Sequence, residues 1–343
     1  MHYQITHKTH YTYSNTANLS YNEARLTPRD FARHPYKHYT PSGVLSAWGH
    51  LQQVHGSRFV VEPQPTSYRE REDFFGNTVC YFAIQRPHQT LTVTVTSQVE
   101  VKRHSTAARE SSESEAWEAV REQLQTSLHP EILETRQYVL DSPMIPTRLP
   151  ELREYATPSF AHGRTLQEAV RDLTARLHTD FTYDPGWTTV ATPLAEVLAH
   201  RRGVCQDFAH LGIGCLRAMG LAARYVSGYI ETMPPLGQER LAGADASHAW
   251  FSVYVPDVAR VPHTPTENYL QSRPSGNSLE RTSTASCGEW LDFDPTNNQE
   301  PGEQHITVAW GRDYSDVTLL KGVVFGSGTH ELSVSVDCRR ETC

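Results

Sequence analysis

The sequence predicts an α+β protein: a β-rich N-terminal part followed by a part that mixes helices with strands. In the first hundred residues, Tyr3, Ile5, His7, Thr9, Tyr11 and Tyr13 repeat with period two, and so do Leu91, Val93 and Val95, then Val99 and Val101. That alternation marks strands with one buried face. From about residue 112 the apolar spacing becomes helical, and after residue 205 a helical stretch is followed by segments that alternate again. A length of 343 residues exceeds what one domain usually needs, so two domains, or one domain with a large β appendage, are expected.

In chain order, Phe75-Gly76-Asn77 is a turn between strands. The stretch from His34 to Gly49, with two prolines, two glycines and no clear period, is a long loop. Trp117, Val120 and Leu124 fit a helix that Ser112 and Glu115 would cap. Thr165 and Glu168 form a second capping pair, ahead of the buried stripe Leu166, Val170, Leu173 and Leu177. A short helix follows Thr192, with Pro193 at its first position and Gly203 in the turn after it.

Cys205 opens the next helix, with Ala209, Ile213 and Leu216 along one side and Gly220 as its stop. Residues 224–230 are a strand. So are residues 249–255, with Ala249, Phe251, Val253 and Val255 on one face and His248, Trp250, Ser252 and Tyr254 on the other. Trp290 to Asp294 is a third strand. Between the last two lies a Pro-, Ser- and Thr-rich connection of unusual length.

Composition narrows the function classes. With 31 Lys and Arg against 39 Asp and Glu, the net charge of −8 argues against a nucleic-acid surface. Mean hydropathy is −0.53, no apolar run reaches membrane-spanning length, and the first residues lack the apolar centre of a signal peptide. Six scattered cysteines suit a reducing cytoplasm better than a disulfide framework. His7 and His10 would point to opposite faces of a strand, which discounts them as a metal pair. Cys338 and Cys343 are more simply incidental than ligands. No phosphate-binding loop is present, because Gly212-Ile213-Gly214 falls inside a helix and Gly326-Ser327-Gly328 lacks a following helix and Lys.

The order Cys205, His248, Asp294 is the chemical signal. A thiol at a helix N-terminus lies at the positive end of the macrodipole, which favours the thiolate. A histidine can take the thiol proton, and an aspartate can orient that histidine. Each residue also has an ordinary reading. Free cysteines are usually small buried hydrophobes, and Cys215 fits that description. His248 is one of 18 histidines. Asp292 shares a strand face with Asp294, so either could meet a histidine, and Pro295 would leave Asp294 at an exposed strand tip.

Local wording resolves these alternatives by resemblance. Arg202-Gly203-Val204-Cys205-Gln206-Asp207-Phe208-Ala209-His210 resembles the nucleophile segment of the bacterial transglutaminase-like superfamily. Arg224-Tyr225-Val226-Ser227-Gly228-Tyr229, Ser247-His248-Ala249-Trp250 and Phe293-Asp294-Pro295-Thr296-Asn297 resemble its following blocks, in order. Asn22-Glu23-Ala24-Arg25-Leu26 and Asp73-Phe74-Phe75-Gly76-Asn77 resemble the β-rich domain that precedes the core in bacterial members, and residues 311–317 resemble its tail.

The resemblance implies a papain-like core, with the cysteine on a helix and the histidine and aspartate on an antiparallel sheet. It makes Cys205 the nucleophile, His248 the base and Asp294 the residue that orients the imidazole. The oxyanion would be held by the nucleophile's own N–H and an upstream aromatic, for which Tyr183 is the candidate. Gln206 and Asp207 match the motif and are expected to order the helix start. The implied division is a β-rich domain over 1–110, a helical connector over 111–160, a catalytic core over 161–300 with an insertion at about 258–289, and a β tail over 301–343 that packs on the core or on the N-terminal domain.

Two departures stand out. His248 and Asp294 are 46 residues apart because of an insertion near 258–289, and the region from His34 to Gln53 is enlarged. Both bear on substrate access, as a lid, a partner surface or a bulge. The expected activity is acyl transfer through a thioester on a peptide or protein substrate, with hydrolysis favoured. A protein-glutamine transglutaminase or deamidase and a non-catalytic interaction scaffold are the alternatives. No cofactor and no metal are expected, calcium included, since no Asp-rich loop is present.

Overall fold

The computed structural model describes residues 1–31, 50–103, 115–232, 246–256 and 288–341. The N-terminal part holds β1 (His2–Ala17), β2 (Leu19–Ala24), β3 (His50–Glu62), β4 (Ser67–Glu72), β5 (Thr78–Ile84) and β6 (His88–Arg103). The period-two residues of β1 point inward: Tyr3, Ile5, His7, Thr9 and Tyr13 are buried. The last two strands of the chain, β13 (Leu320–Phe325) and β14 (His330–Arg340), join this part. The sheets run β14-β1-β6-β3 and β13-β2-β5-β4, and enclose a core that includes Tyr13, Leu26, Phe82, Ile84, Leu91 and Val93.

Helices α1 (Trp117–Thr126), α2 (Pro130–Thr135) and α3 (Pro150–Ala156) follow, then α4 (Leu166–Asp180). The capping box expected at Thr165 and Glu168 is present, and Leu166, Val170, Leu173 and Leu177 are buried. The cap expected from Ser112 is not found: α1 starts after Ala116, which has no side-chain cap, and Ser112 itself lies outside the described residues. Trp117 instead donates its indole N–H to the Ala161 carbonyl at 3.1 Å, and tertiary packing fixes the helix start.

The chain then forms the two-residue strand β7 (Thr182–Tyr183), α5 (Leu194–His200), β8 (Arg202–Gly203) and α6 (Cys205–Ala218). Pro193 is the N-cap of α5, one place earlier than expected. Arg201, at φ 55°, takes the left-handed position that closes α5; Gly203 was expected in that turn. Gly220, at φ 84°, ends α6 as expected. Every α6 residue from Asp207 to Arg217 is buried, so α6 is a central helix with no solvent face.

Strands β9 (Ala223–Ile230), β10 (Ala246–Pro256), β11 (Gly288–Phe293) and β12 (His305–Gly311) form an antiparallel sheet in the order β11-β10-β9-β12. Helix α6 packs on this sheet. A Cβ at Gly212 would stand 2.5 Å from the Phe251 ring, so only glycine allows that approach. A four-residue helix, α7 (Tyr314–Val317), follows β12. Residues 301–343, grouped above as one tail, therefore serve both parts: β12 belongs to the central sheet, while β13 and β14 belong to the N-terminal sheets. Among the described residues no helix is long and apolar enough to cross a membrane. The expected loop at 34–49 and nearly all of the 258–289 insertion lie outside the described residues.

Candidate active site

Three separated elements bring Cys205, His248 and Asp294 together. Cys205 is the first residue of α6 and is half-buried. The first backbone N–H groups of a helix have no partner within it and carry the positive end of its dipole. Asp207 shapes this helix start. Its Oδ2 accepts the Val204 N–H at 2.8 Å and the Thr188 hydroxyl at 2.8 Å. A Cβ on Gly203 would lie 2.7 Å from that same oxygen, so glycine at 203 serves the carboxylate's approach and not the closing turn of α5. Burial pushes the Asp207 carboxyl up, opposed by the Val204 and Thr188 hydrogen bonds. Gln206 is half-buried.

His248 lies near the start of β10, and its Nε2 is 2.8 Å from Asp294 Oδ2. The Cys205 thiol acts on the same ring, and with Asp294 it favours the protonated imidazole. With Nε2 turned to the carboxylate, Nδ1 is the nitrogen left for sulfur. Burial alone would lower the basicity of His248. The hydrogen bonds and charges of Asp294 and Cys205 outweigh burial and raise it to about 10.

Asp294 follows β11 directly and is fully buried, which corrects the expectation of an exposed strand tip. The cause is local: Asp294 and Gln299 pair their backbones at 2.8 and 3.2 Å, folding the Pro295-to-Gln299 turn over the carboxylate. Oδ1 accepts the N–H groups of Thr296 at 3.0 Å and Asn297 at 3.2 Å. Oδ2 accepts the Asn297 amide at 2.7 Å in addition to His248. Burial disfavours the charge, but the hydrogen bonds of the His248 and His305 imidazoles, the charge of His248 and the Asn297 amide hold the carboxyl far below its ordinary range. Asp292, the rival acceptor, instead receives the Ser252 hydroxyl.

Tyr183 reaches the centre through the parallel pairing of β7 with β8. Tyr183 stands opposite Gly203, the Thr182 N–H donates to the Arg201 carbonyl at 2.9 Å, and the Asp184 N–H to the Gly203 carbonyl at 2.9 Å. The ring stands edge-on to Phe208 at 6.3 Å and is 51% exposed. Its hydroxyl is pushed up by burial and by the charge of Cys205.

One site residue escaped the reading of the sequence. His305, the first residue of β12, is fully buried, with Nε2 3.2 Å from Asp294 Oδ2. The signal available was a histidine opening the apolar run Ile306-Thr307-Val308-Ala309-Trp310, but 17 other histidines offered no way to single it out.

Among the described residues, two sets of side chains have ligand atoms close enough to hold a cation: His2, His55 and Glu100, and His248, Asp294 and His305. In the first, Lys102 already stands 2.6 Å from the Glu100 carboxylate as its cation. In the second, the imidazole nitrogens are engaged with the carboxylate oxygen that a metal would need.

The fold and this geometry define a helix-borne cysteine facing a histidine–aspartate pair on an antiparallel sheet. Residues 153–269 match the core of the transglutaminase-like superfamily, and residues 3–42 and 47–100 match the bacterial transglutaminase-like N-terminal region. An uncharacterised protein of Mycobacterium tuberculosis is 38% identical over 338 residues, covering 98% of this chain and 91% of the relative. A second uncharacterised protein, from Mycobacterium leprae, is 31% identical over 341 residues, covering 98% of each. The chain belongs to the transglutaminase-like superfamily. The crystal structure of a cysteine-protease candidate from Cytophaga hutchinsonii shares the fold, with TM-score 0.64 and 18% identity over 99% of this chain and 90% of that one. The core match ends at residue 269, so the place of Asp294 rests on the geometry described above.

Proposed function

We propose that the protein is a cysteine hydrolase that cleaves a peptide or amide bond through a thioester. The observation that carries this reading is the pairing of His248 with the fully buried Asp294, together with a cysteine at the first position of a buried helix. The Cys205 thiolate attacks the carbonyl carbon, and the negative charge moves to oxygen. The Cys205 N–H and the Tyr183 hydroxyl are the candidate donors to that oxygen. The tetrahedral species collapses, the C–N bond breaks, and His248 gives its proton to the leaving amine. Water then attacks the thioester and loses a proton to His248, releasing a carboxylic acid and restoring the thiol. Asp294 holds the ring and stabilises the imidazolium throughout. Gln206 and Asp207 support the helix start.

Hydrolysis is favoured over transamidation because a half-buried thiol admits water, whereas an amine acceptor needs a second binding site. The substrate class we assign is a peptide or protein. The cytoplasm is the compartment we assign, in keeping with the free thiols Cys80, Cys205, Cys215 and Cys338.

Mass spectrometry of a Gln-containing peptide library, incubated with wild type and Cys205→Ala, with and without a primary amine, tests the reading. Shortened peptides, or Gln converted to Glu, only with intact Cys205 are expected. Amine adducts would make the protein a transglutaminase. A Cys205→Ala protein with full biological activity would make it a scaffold.

A further inference from the structure

His305 and His248 approach the same oxygen of Asp294, and nothing in the three-residue arrangement described above requires a second histidine. Its surroundings fix its chemistry. The Gly302 N–H donates to His305 Nδ1 at 3.1 Å, so Nδ1 carries a lone pair and no proton. The ring proton is therefore on Nε2, which lies 3.2 Å from Asp294 Oδ2. The Gly302 carbonyl also receives the His305 N–H at 3.1 Å, closing a small turn that locks the ring. The Trp250 ring stands edge-on to His305 at 5.3 Å and also lies 6.1 Å from the His248 ring.

We propose that His305 is a positioning residue of this centre: a neutral imidazole that donates Nε2–H to Asp294 Oδ2 and shares the charge that would otherwise fall on His248 alone. The inference rests on the cysteine-hydrolase reading for its purpose, but not for its test.

The argument is electrostatic. A hydrogen bond to a carboxylate lowers the charge that its other partners feel. Asp294 and Cys205 already hold the His248 proton strongly, up to about 10. A general acid that binds its proton more tightly still transfers it to a leaving amine more slowly. His305 limits that binding. The groups facing His248 are Cys205, Asp294 and Asn297, with the His305 ring 6.1 Å away. The carboxylate cannot swing away when His305 is removed, because the N–H groups of Thr296 and Asn297 and the Asn297 amide still hold it. Loss of His305 therefore acts through charge and not through collapse of the site.

The test is an NMR titration of the imidazole nitrogens in wild type, His305→Leu and His305→Gln, with the pH profile of Cys205 alkylation alongside. In wild type, His305 is expected to be neutral at pH 7 with its proton on Nε2. In His305→Leu the His248 midpoint should rise by about one pH unit. In His305→Gln, whose amide N–H reaches the same oxygen, it should return close to wild type. A charged His305, a proton on Nδ1, or a His248 midpoint that stays or falls in a folded His305→Leu protein would overturn the proposal. If the leucine variant does not fold, the wild-type tautomer and the glutamine variant still decide. A wild-type Cys205 that alkylates no faster than a free thiol would sink the hydrolase reading and leave the assignment of His305 standing.

Discussion

At Asp294, burial and charge act in opposite directions. An isolated buried carboxylate would be neutral, yet this one accepts hydrogen bonds from the backbone N–H groups of Thr296 and Asn297, the Asn297 amide and two imidazoles. Asp294→Asn keeps the shape and removes the charge. It is expected to lower the rate of peptide cleavage by about three to four orders of magnitude, as loss of the aspartate does in comparable triads. A loss below tenfold would mean that the carboxylate does not serve the histidine. Other buried histidines respond to acid. Burial pushes His7 and His210 down to about 4 from an ordinary 6.5. The folded state binds fewer protons there than the unfolded one, so their stability contribution is present above about pH 6.5 and is lost as pH falls towards 4. His248 has the opposite sign: its contribution is full below about 6.5 and is lost as pH rises through about 10. In His210→Gln, the glutamine carbonyl can accept the Tyr314 N–H that His210 Nε2 now takes at 3.1 Å. Its unfolding midpoint should fall less steeply than that of wild type between pH 6.5 and 4; an equal slope would assign the acid sensitivity elsewhere.

Among the elements, α6 carries the most. It is buried all round, so its position is fixed by packing, and Asp207 fixes its first turn. Asp207→Ala leaves the Val204 N–H and the Thr188 hydroxyl without their acceptor and should cost about 1–3 kcal/mol in urea unfolding. The same variant should alkylate at Cys205 more slowly than wild type, because the thiol's helix end is no longer held. Destabilisation with an unchanged alkylation rate would give Asp207 a purely structural role. Elements read from their own residues matched the structure: the Thr165–Glu168 box, the stripe of α4 and the alternation of β1 and β6 depend on local chemistry. The closing turn of α5 did not, because Arg201 is forced into the left-handed region while Gly203 is reserved for Asp207.

In the whole molecule, the N-terminal sheets clamp the outer edge of β12. The Gln52 side chain donates to the Thr307 carbonyl at 2.7 Å and accepts its N–H at 2.8 Å. Asn77 does the same for Trp310, at 2.8 and 3.0 Å. The Trp310 ring lies between the Arg29 and Arg224 guanidiniums, at 3.5 and 3.9 Å from its centre. This edge carries His305, so the β-rich part supports the strand behind the candidate centre. Gln52→Ala and Asn77→Ala should each cost about 1–3 kcal/mol, read from urea unfolding, because each removes two side-chain hydrogen bonds to the backbone of a buried strand. Values within about 0.5 kcal/mol of wild type, the range of ordinary surface changes, would mean that the clamp adds nothing.

The sequence by itself determined the family, the α+β class, the helix that begins at Cys205 and the strand that carries His248. Those depend on period, caps and motif wording within a few residues. It preferred Asp294 to Asp292 only through the resemblance of the surrounding motif, and set Asp294 at an exposed tip. Only the tertiary structure buried Asp294, through a turn whose backbone pairs with Gln299. It also brought in His305 from another strand, and tied β13 and β14 to strands more than 230 residues earlier. These outcomes rest on contacts between distant parts of the chain, and the chemistry of a short stretch carries no record of which distant residue will face it.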